Sequence, residues 1–188
     1  AIASGASEEL LEFVEKINAP VCDSLMGKGA FSGEHPLYAG MLGMHGTKYA
    51  NFGVSRCDLL ITVGARFSDR VFGDASRFAT QAKVLQIDVD PAEIDKNIRT
   101  SASVIGDVKE VLKMLNPRLT QKSHENWNAY MDDLKARFPL KYNEEGLTGP
   151  YVVEEIYKAT HKSELFLLAQ TNNIFLLCLR YQHPGHNK

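Results

Sequence analysis

Asp58-Leu59-Leu60-Ile61-Thr62-Val63-Gly64-Ala65-Arg66-Phe67-Ser68-Asp69-Arg70 is the stretch that decides the fold. It runs from an almost unbroken apolar segment into a glycine and then a charged turn. A continuous apolar run is the signature of a parallel strand covered on both faces, because an antiparallel strand with one wet face alternates instead. Lys83-Val84-Leu85-Gln86-Ile87-Asp88 and Ser103-Val104-Ile105 read the same way, and Pro20-Val21-Cys22-Asp23-Ser24 reads as a shorter strand. Helical segments separate them. Ser7-Glu8-Glu9 opens one with Leu10, Leu11, Val14 and Ile17 at helical spacing, and Asp107 caps another carrying Val108, Val111, Leu112 and Leu115. Pro91 suits the first turn of a short helix after Asp88. Strands alternating with helices require crossover connections, which predicts an α/β fold with a doubly wound, Rossmann-like parallel sheet. Ligands of such sheets lie beyond the carboxyl ends of the strands. The segments to inspect are therefore 24–29, 64–73, 88–91 and 106–107.

The composition of the 188 residues narrows the classes of function. Hydrophobic residues make up 44% and charged residues 23%, a globular balance. Lys and Arg number 21 against 23 Asp and Glu, a net charge of −2, so no nucleic-acid partner is expected. No apolar run approaches the roughly 18 residues that span a bilayer, and no signal peptide is read at the start, so no membrane partner is expected. Cys22, Cys57 and Cys178 have no C-x-x-C spacing and fit reduced thiols in a cytoplasmic protein. His35, His124, His161, His183 and His186 lack ligand-like spacing, so no metal site is expected and these histidines read as surface residues.

Three segments could carry chemistry. Gly40-Met41-Leu42-Gly43-Met44-His45-Gly46-Thr47 is poor material for a core strand or helix. It reads either as a surface loop with buried methionines or as glycine backbone and adaptable apolar wall against a ligand. Arg66 and Arg70, with Asp69 between them, either clamp a phosphate or carboxylate or form a surface Arg-Asp pair. Asp88, at a strand end, suits a ribose hydroxyl or a helix cap, and Asp107 has the same two readings with the cap favoured. The common phosphate-loop patterns and the hydrolase elbow are absent.

Farther along, 122–138 predicts a polar helix with an apolar stripe of Trp127, Tyr130, Met131, Leu134 and Phe138, stopped by Pro139. Residues 143–150 look like a linker. A new helix is expected near Tyr151, followed by the apolar segment Leu165 to Leu168.

Taken in order, Asn18-Ala19-Pro20-Val21, Leu25-Met26-Gly27-Lys28-Gly29, His35-Pro36-Leu37, the 40–47 loop, Asp58-Leu59-Leu60, Gly64-Ala65-Arg66-Phe67-Ser68-Asp69-Arg70-Val71 and Ile87-Asp88-Val89-Asp90-Pro91-Ala92-Glu93-Ile94 resemble the central domain of the acetohydroxyacid (acetolactate) synthase catalytic subunit. The resemblance covers about residues 1 to 160. It implies a transferase that condenses pyruvate with a second 2-keto acid such as 2-ketobutyrate, using thiamine diphosphate and magnesium, in branched-chain amino-acid biosynthesis. It implies further that the central domain binds FAD, that the enzyme is a homo-oligomer, and that a regulatory subunit can accompany it. By the same resemblance, Ser24, Leu25, Met26, Leu42, Gly43, Met44 and His45 would line the flavin. Gly64, Ala65, Arg66, Arg70 and Val71 would follow the ribityl and phosphate portion, with Asp88, Val89 and Asp107 near the adenosine end. Arg70 would pair with the carboxylate of the second keto acid, and Met44 and Asp69 would border the approach to the thiamine site.

Residues 1–140 are thus expected to form the central FAD-binding-type domain, 141–150 a linker, and 151–188 the start of a thiamine-diphosphate-binding domain. The family's catalytic glutamate, its metal and diphosphate motif, and the strand before the first helix find no counterpart in this sequence. The chain by itself is therefore expected to be catalytically silent, with no catalytic residue assigned. Ala169 to Cys178 departs from the family's thiamine-contacting segment, and the tail after about Leu168 is expected to be foreign sequence. Two alternatives remain: another thiamine-diphosphate enzyme, such as glyoxylate carboligase or pyruvate oxidase, and a non-catalytic nucleotide-binding or oligomerisation module.

Overall fold

The structure, a computed structural model, describes residues 1–142 and 146–159. The expected strand at Leu165 to Leu168 and the proposed foreign tail lie outside these residues. The chain divides into two compact units, Ala1–Pro139 and Leu140–Lys188.

In the first unit the chain runs α1 (Ser7–Ile17), β1 (Val21–Asp23), β2 (Tyr38–Met41), α2 (Lys48–Arg56), β3 (Leu59–Val63), α3 (Asp69–Phe72), β4 (Lys83–Asp88), β5 (Ala102–Ile105), α4 (Val108–Leu115) and α5 (Glu125–Arg137). All strand pairs are parallel, as the apolar runs predict. β3 pairs with β4 from Leu59↔Lys83 to Val63↔Ile87, and β4 with β5 from Leu85↔Ala102 to Asp88↔Ile105. β4 is the central strand of this sheet and buries Val84, Gln86, Ile87 and Asp88.

The strands make two sheets, not one. β1 pairs with β2 alone, and the three-stranded sheet has the order β3-β4-β5. One core nevertheless serves both. Leu10, Phe13 and Val14 of α1, Ile87 of β4, and Val108 and Leu112 of α4 form a buried cluster on which Val21, Ile61 and Val63 also pack. Leu11 was expected on that face but stands 38% exposed, and Phe13 takes the place. Leu10, Phe13, Val14 and Ile17 lie at i, i+3, i+4 and i+7, one unbroken stripe, whereas Leu11 falls beside it.

Gly40 and Met41 belong to β2, although the glycine-rich segment argues against a strand. The register explains this. Val21 pairs with Tyr38 and Asp23 with Met41, so β2 carries one extra residue, a bulge. Gly40 turns through it with φ +78°, and a Cβ there would come within 2.7 Å of Thr47 Oγ1 and of the Tyr49 ring. Glycine inside a strand marks such bulges and close approaches.

The predicted polar helix begins at Glu125 rather than Lys122. It packs Met131 and Leu134 with Ala39 of β2, and Cys22, Tyr49, Trp127, Tyr130 and Phe138 surround them. His35 is less of a surface residue than its spacing implied. Its Nδ1 accepts from the Leu37 N–H at 3.1 Å, and its ring meets Phe31 edge-on at 4.9 Å.

In the second unit α6 (Gly149–Ala159) starts two residues earlier than expected. Pro150 opens the helix instead of closing a linker, because proline in the first turn forfeits no intrahelical hydrogen bond. Tyr142 donates its hydroxyl to Glu154, and Lys158 pairs with Glu154 and Glu155 at 3.0 Å. No helix among the described residues is long and apolar enough to cross a membrane.

Candidate functional site

The carboxyl ends of the strands gather the predicted residues into two groups. The first lies at the ends of β3, β4 and β5. A Cβ on Gly64, just past β3, would lie 3.2 Å from Val108 Cγ2 of α4. Asp88 ends β4, the strand beside β3, and Asp107 follows β5. Gly64, Asp88 and Asp107 thus stand at the ends of three neighbouring strands.

Both carboxylates also have local duties. Asp107 caps α4, accepting from the N–H groups of Lys109 and Glu110 at 2.9 and 3.3 Å. This is the cap reading that its position after Gly106 favoured. Asp88 is buried and accepts from the Asp90 N–H at 3.0 Å, which shapes the turn after β4.

The second group joins the ends of β1 and β2 to the turn after β3. The Leu42 N–H donates to the Asp23 carbonyl at 2.8 Å, and the Met44 N–H to the Arg70 carbonyl at 2.9 Å. Gly43, at φ +113°, presses on this seam: a Cβ there would stand 2.7 Å from the Arg70 oxygen and 3.3 Å from Val71 Cα. The 42–46 and 66–73 loops, read separately in the sequence, thus touch through backbone. Ser24 caps the turn Leu25–Gly27 by accepting from the Gly27 N–H at 3.2 Å.

Leu25, Met26, Met44 and Val89 project from these turns at 39%, 86%, 69% and 68% exposure. His45, Asp69 and Arg70 are exposed and Ala65 and Val71 are half-buried. Arg66 reaches Glu93, at 3.9 Å, and not Asp69. Asp69 instead accepts from the Arg70 N–H at 2.9 Å, so the surface Arg-Asp pair is replaced by a local turn. The ensemble is an apolar, glycine-backed rim with two cations beside it. Apolar surface of this kind suits a planar ring, and guanidinium groups suit phosphate or carboxylate. Among the described residues no group of three or more His, Cys, Asp and Glu side chains is arranged to hold a metal ion.

Sequence reasoning passed over two features. Asp23, Lys28 and Tyr38 form a cluster below Leu42. The Tyr38 hydroxyl donates to Asp23 at 3.0 Å, and the Lys28 ammonium lies 3.4 Å from the same carboxylate. Burial raises the Asp23 carboxyl above its ordinary range, opposed by Lys28 and Tyr38, and burial with Asp23 also raises Tyr38. The other is Asn51 of α2, which grips the 43–47 loop. Its signal was an asparagine one turn past a threonine cap, a residue that favours caps and turns over helix interiors.

The family model for the thiamine pyrophosphate enzyme central domain matches residues 1–115. Among curated proteins, "Probable acetolactate synthase large subunit" of Methanocaldococcus jannaschii is 53% identical over 137 residues, 71% of this chain and 23% of that protein. "Acetolactate synthase large subunit" of Cyanidium caldarium is 42% identical over 172 residues, 87% of this chain and 29% of the relative. "Acetolactate synthase" of Mycobacterium avium is 40% identical over 175 residues, 88% and 28%. The chain therefore spans about a quarter of the length of the curated relatives it matches.

Proposed function

This chain belongs to the thiamine pyrophosphate enzyme central-domain family, and from that premise we propose that it is the FAD-binding middle portion of a cytoplasmic acetolactate synthase large subunit. The observation that carries the reading is 40 to 53% identity to proteins bearing that name over most of the chain. The whole enzyme would condense pyruvate with a second 2-keto acid, using thiamine diphosphate with magnesium.

The chemistry of the strand ends supports FAD. An extended flavin dinucleotide needs an apolar surface for its ring, cations for its pyrophosphate and carboxylates for its ribose. Leu25, Met26 and Met44 would face the ring, Arg66 and Arg70 the phosphates, and Asp88 the adenosine ribose. The bound flavin would supply a rigid planar surface and no net redox step. Arg70, exposed beside Met44, would also offer its guanidinium to the carboxylate of the second keto acid. The protein's part is to bind and orient, and that capacity can be measured without turnover.

The decisive experiment is titration of the purified 188-residue chain with FAD, read by flavin fluorescence and absorbance. Saturable binding, weakened at least tenfold by Arg66→Ala and Arg70→Ala together, is expected. No binding, or binding indifferent to both substitutions, would overturn the site assignment and favour a non-catalytic module.

A further inference from the structure

We propose that Asn51 is the positioning residue of this site: its side-chain amide, mounted on α2, holds the 43–47 loop in the shape that docks Met44 on the Arg70 backbone. The amide makes three hydrogen bonds to loop backbone. Its Oδ1 accepts from the Gly43 N–H at 3.1 Å, while its Nδ2 donates to the carbonyls of Gly43 and Thr47 at 3.0 and 3.1 Å. One side chain thus satisfies both polar backbone groups of Gly43, as a neighbouring strand would. Gly43 is itself buried and cannot turn to water for replacements.

The geometry makes the grip directional. Thr47 caps α2 by accepting from the Ala50 N–H at 3.2 Å, which fixes where the helix begins and hence where Asn51 sits one turn later. The Gly46 N–H closes on the Gly43 carbonyl at 2.9 Å, and the Thr47 N–H on the Met41 carbonyl at 2.8 Å. Met44 lies at the apex. Its only role in this frame is the donation to the Arg70 carbonyl at 2.9 Å, a bond Asn51 does not touch. The amide therefore acts on the Met44–Arg70 seam through Gly43. Asparagine is a poor helix former, so its presence in this helix is explained by the loop it holds. No other side chain of this length offers an acceptor and a donor together. Aspartate would present a carboxylate to two carbonyl oxygens, and leucine would leave the buried Gly43 N–H without a partner, while the Gly43 and Thr47 carbonyls keep the Gly46 and Asn51 backbone N–H groups.

The consequence for the ligand rests on the FAD reading above; the consequence for the loop does not. The test uses the 188-residue chain with Asn51→Asp and Asn51→Leu, following amide hydrogen exchange residue by residue and FAD affinity in parallel. Exchange at Met44 should accelerate at least tenfold in both variants, while Ile87 in β4 keeps its wild-type rate within twofold. FAD affinity should fall at least tenfold while the chain remains folded at the assay temperature. Wild-type exchange at Met44 in both variants would overturn the proposal, because a side chain serving only Gly43 would leave that amide untouched. A loosened Met44 with unaltered FAD affinity would overturn its role in the ligand site. If the wild-type chain binds no FAD, the flavin reading fails and Met44 exchange still decides the positioning role. Should Asn51→Asp fail to fold, Asn51→Leu carries the measurement, since it keeps the branched heavy-atom shape and adds no charge.

Discussion

Replacing Gly43 by alanine should separate the two loops of the candidate site. The new methyl would stand 2.7 Å from the Arg70 carbonyl oxygen, against an optimal separation of about 3.5 Å. Relief by moving the backbones apart requires about 0.8 Å. That would stretch the Met44–Arg70 hydrogen bond from 2.9 Å to about 3.7 Å, beyond hydrogen-bond reach. Losing it costs about 1 kcal/mol. The φ of +113° adds a backbone penalty of about 1 to 3 kcal/mol for any residue with a Cβ. The total, about 2 to 4 kcal/mol, corresponds in a unit of this size to a melting temperature lower by about 6 to 12 °C. Gly73→Ala is the internal control. Its φ is +66° with ψ −81°, outside the left-handed helical region, and nothing lies within 4 Å of the added methyl, so it bears a backbone penalty of about 1 to 3 kcal/mol, or about 3 to 9 °C, and no steric one. Thermal melts of both variants, followed by circular dichroism, measure the difference. If Gly43→Ala melts within 2 °C of Gly73→Ala, the contact with Arg70 is not made and the loops are not joined as described.

Asp107→Ala should destabilise the protein by about 1 kcal/mol, the usual value of an N-cap. Asp107→Ser should restore stability but not FAD affinity if the carboxylate serves the ligand, and calorimetry with FAD titration reads both. Leu112→Ala, at a side chain with no exposure, should cost about 2 to 5 kcal/mol by urea denaturation; a loss under 1 kcal/mol would mean that the shared core is wrongly drawn. The Cys22 thiol, packed on the Ala39 carbonyl, is pushed by burial up to about 12, far above an ordinary thiol near 8.5. At pH 8 it should therefore alkylate with iodoacetamide about a thousandfold more slowly in the folded chain than in urea. Rates within tenfold, by peptide mass spectrometry, would contradict its burial. Because the folded value lies above the unfolded one, the stability that Cys22 contributes is complete below about pH 8.5 and is lost as pH rises toward 12.

The elements that sequence made legible are those whose periodicity coincides with burial. β4 reads as a covered strand and buries Val84, Gln86, Ile87 and Asp88, and α4 reads as a helix because Val108 and Leu112 face one core, whereas β3 and β5, read the same way, leave Leu59 and all of Ala102–Ile105 exposed. β2 escaped because a glycine bulge looks like a loop when its partner strand is unknown. α2 escaped because what it packs on is distant: Gly53 is glycine where a Cβ would meet the Met131 thioether of α5 at 2.8 Å. In the candidate site, the residue types were legible at each strand end, but their grouping was not.

Sequence by itself determined that the strands are parallel and which side chains stand at their carboxyl ends. Those properties follow from local order: the spacing of apolar residues, a glycine after a strand, an aspartate before a helix. Tertiary structure alone decided that the strands form two sheets over one core, that Met44 meets Arg70, and that Asn51 holds the loop between them. These are backbone hydrogen bonds and close approaches between segments far apart in the chain. Every residue carries the same N–H and C=O, so nothing in the identity of Arg70 or Gly43 names its partner until the fold brings them together.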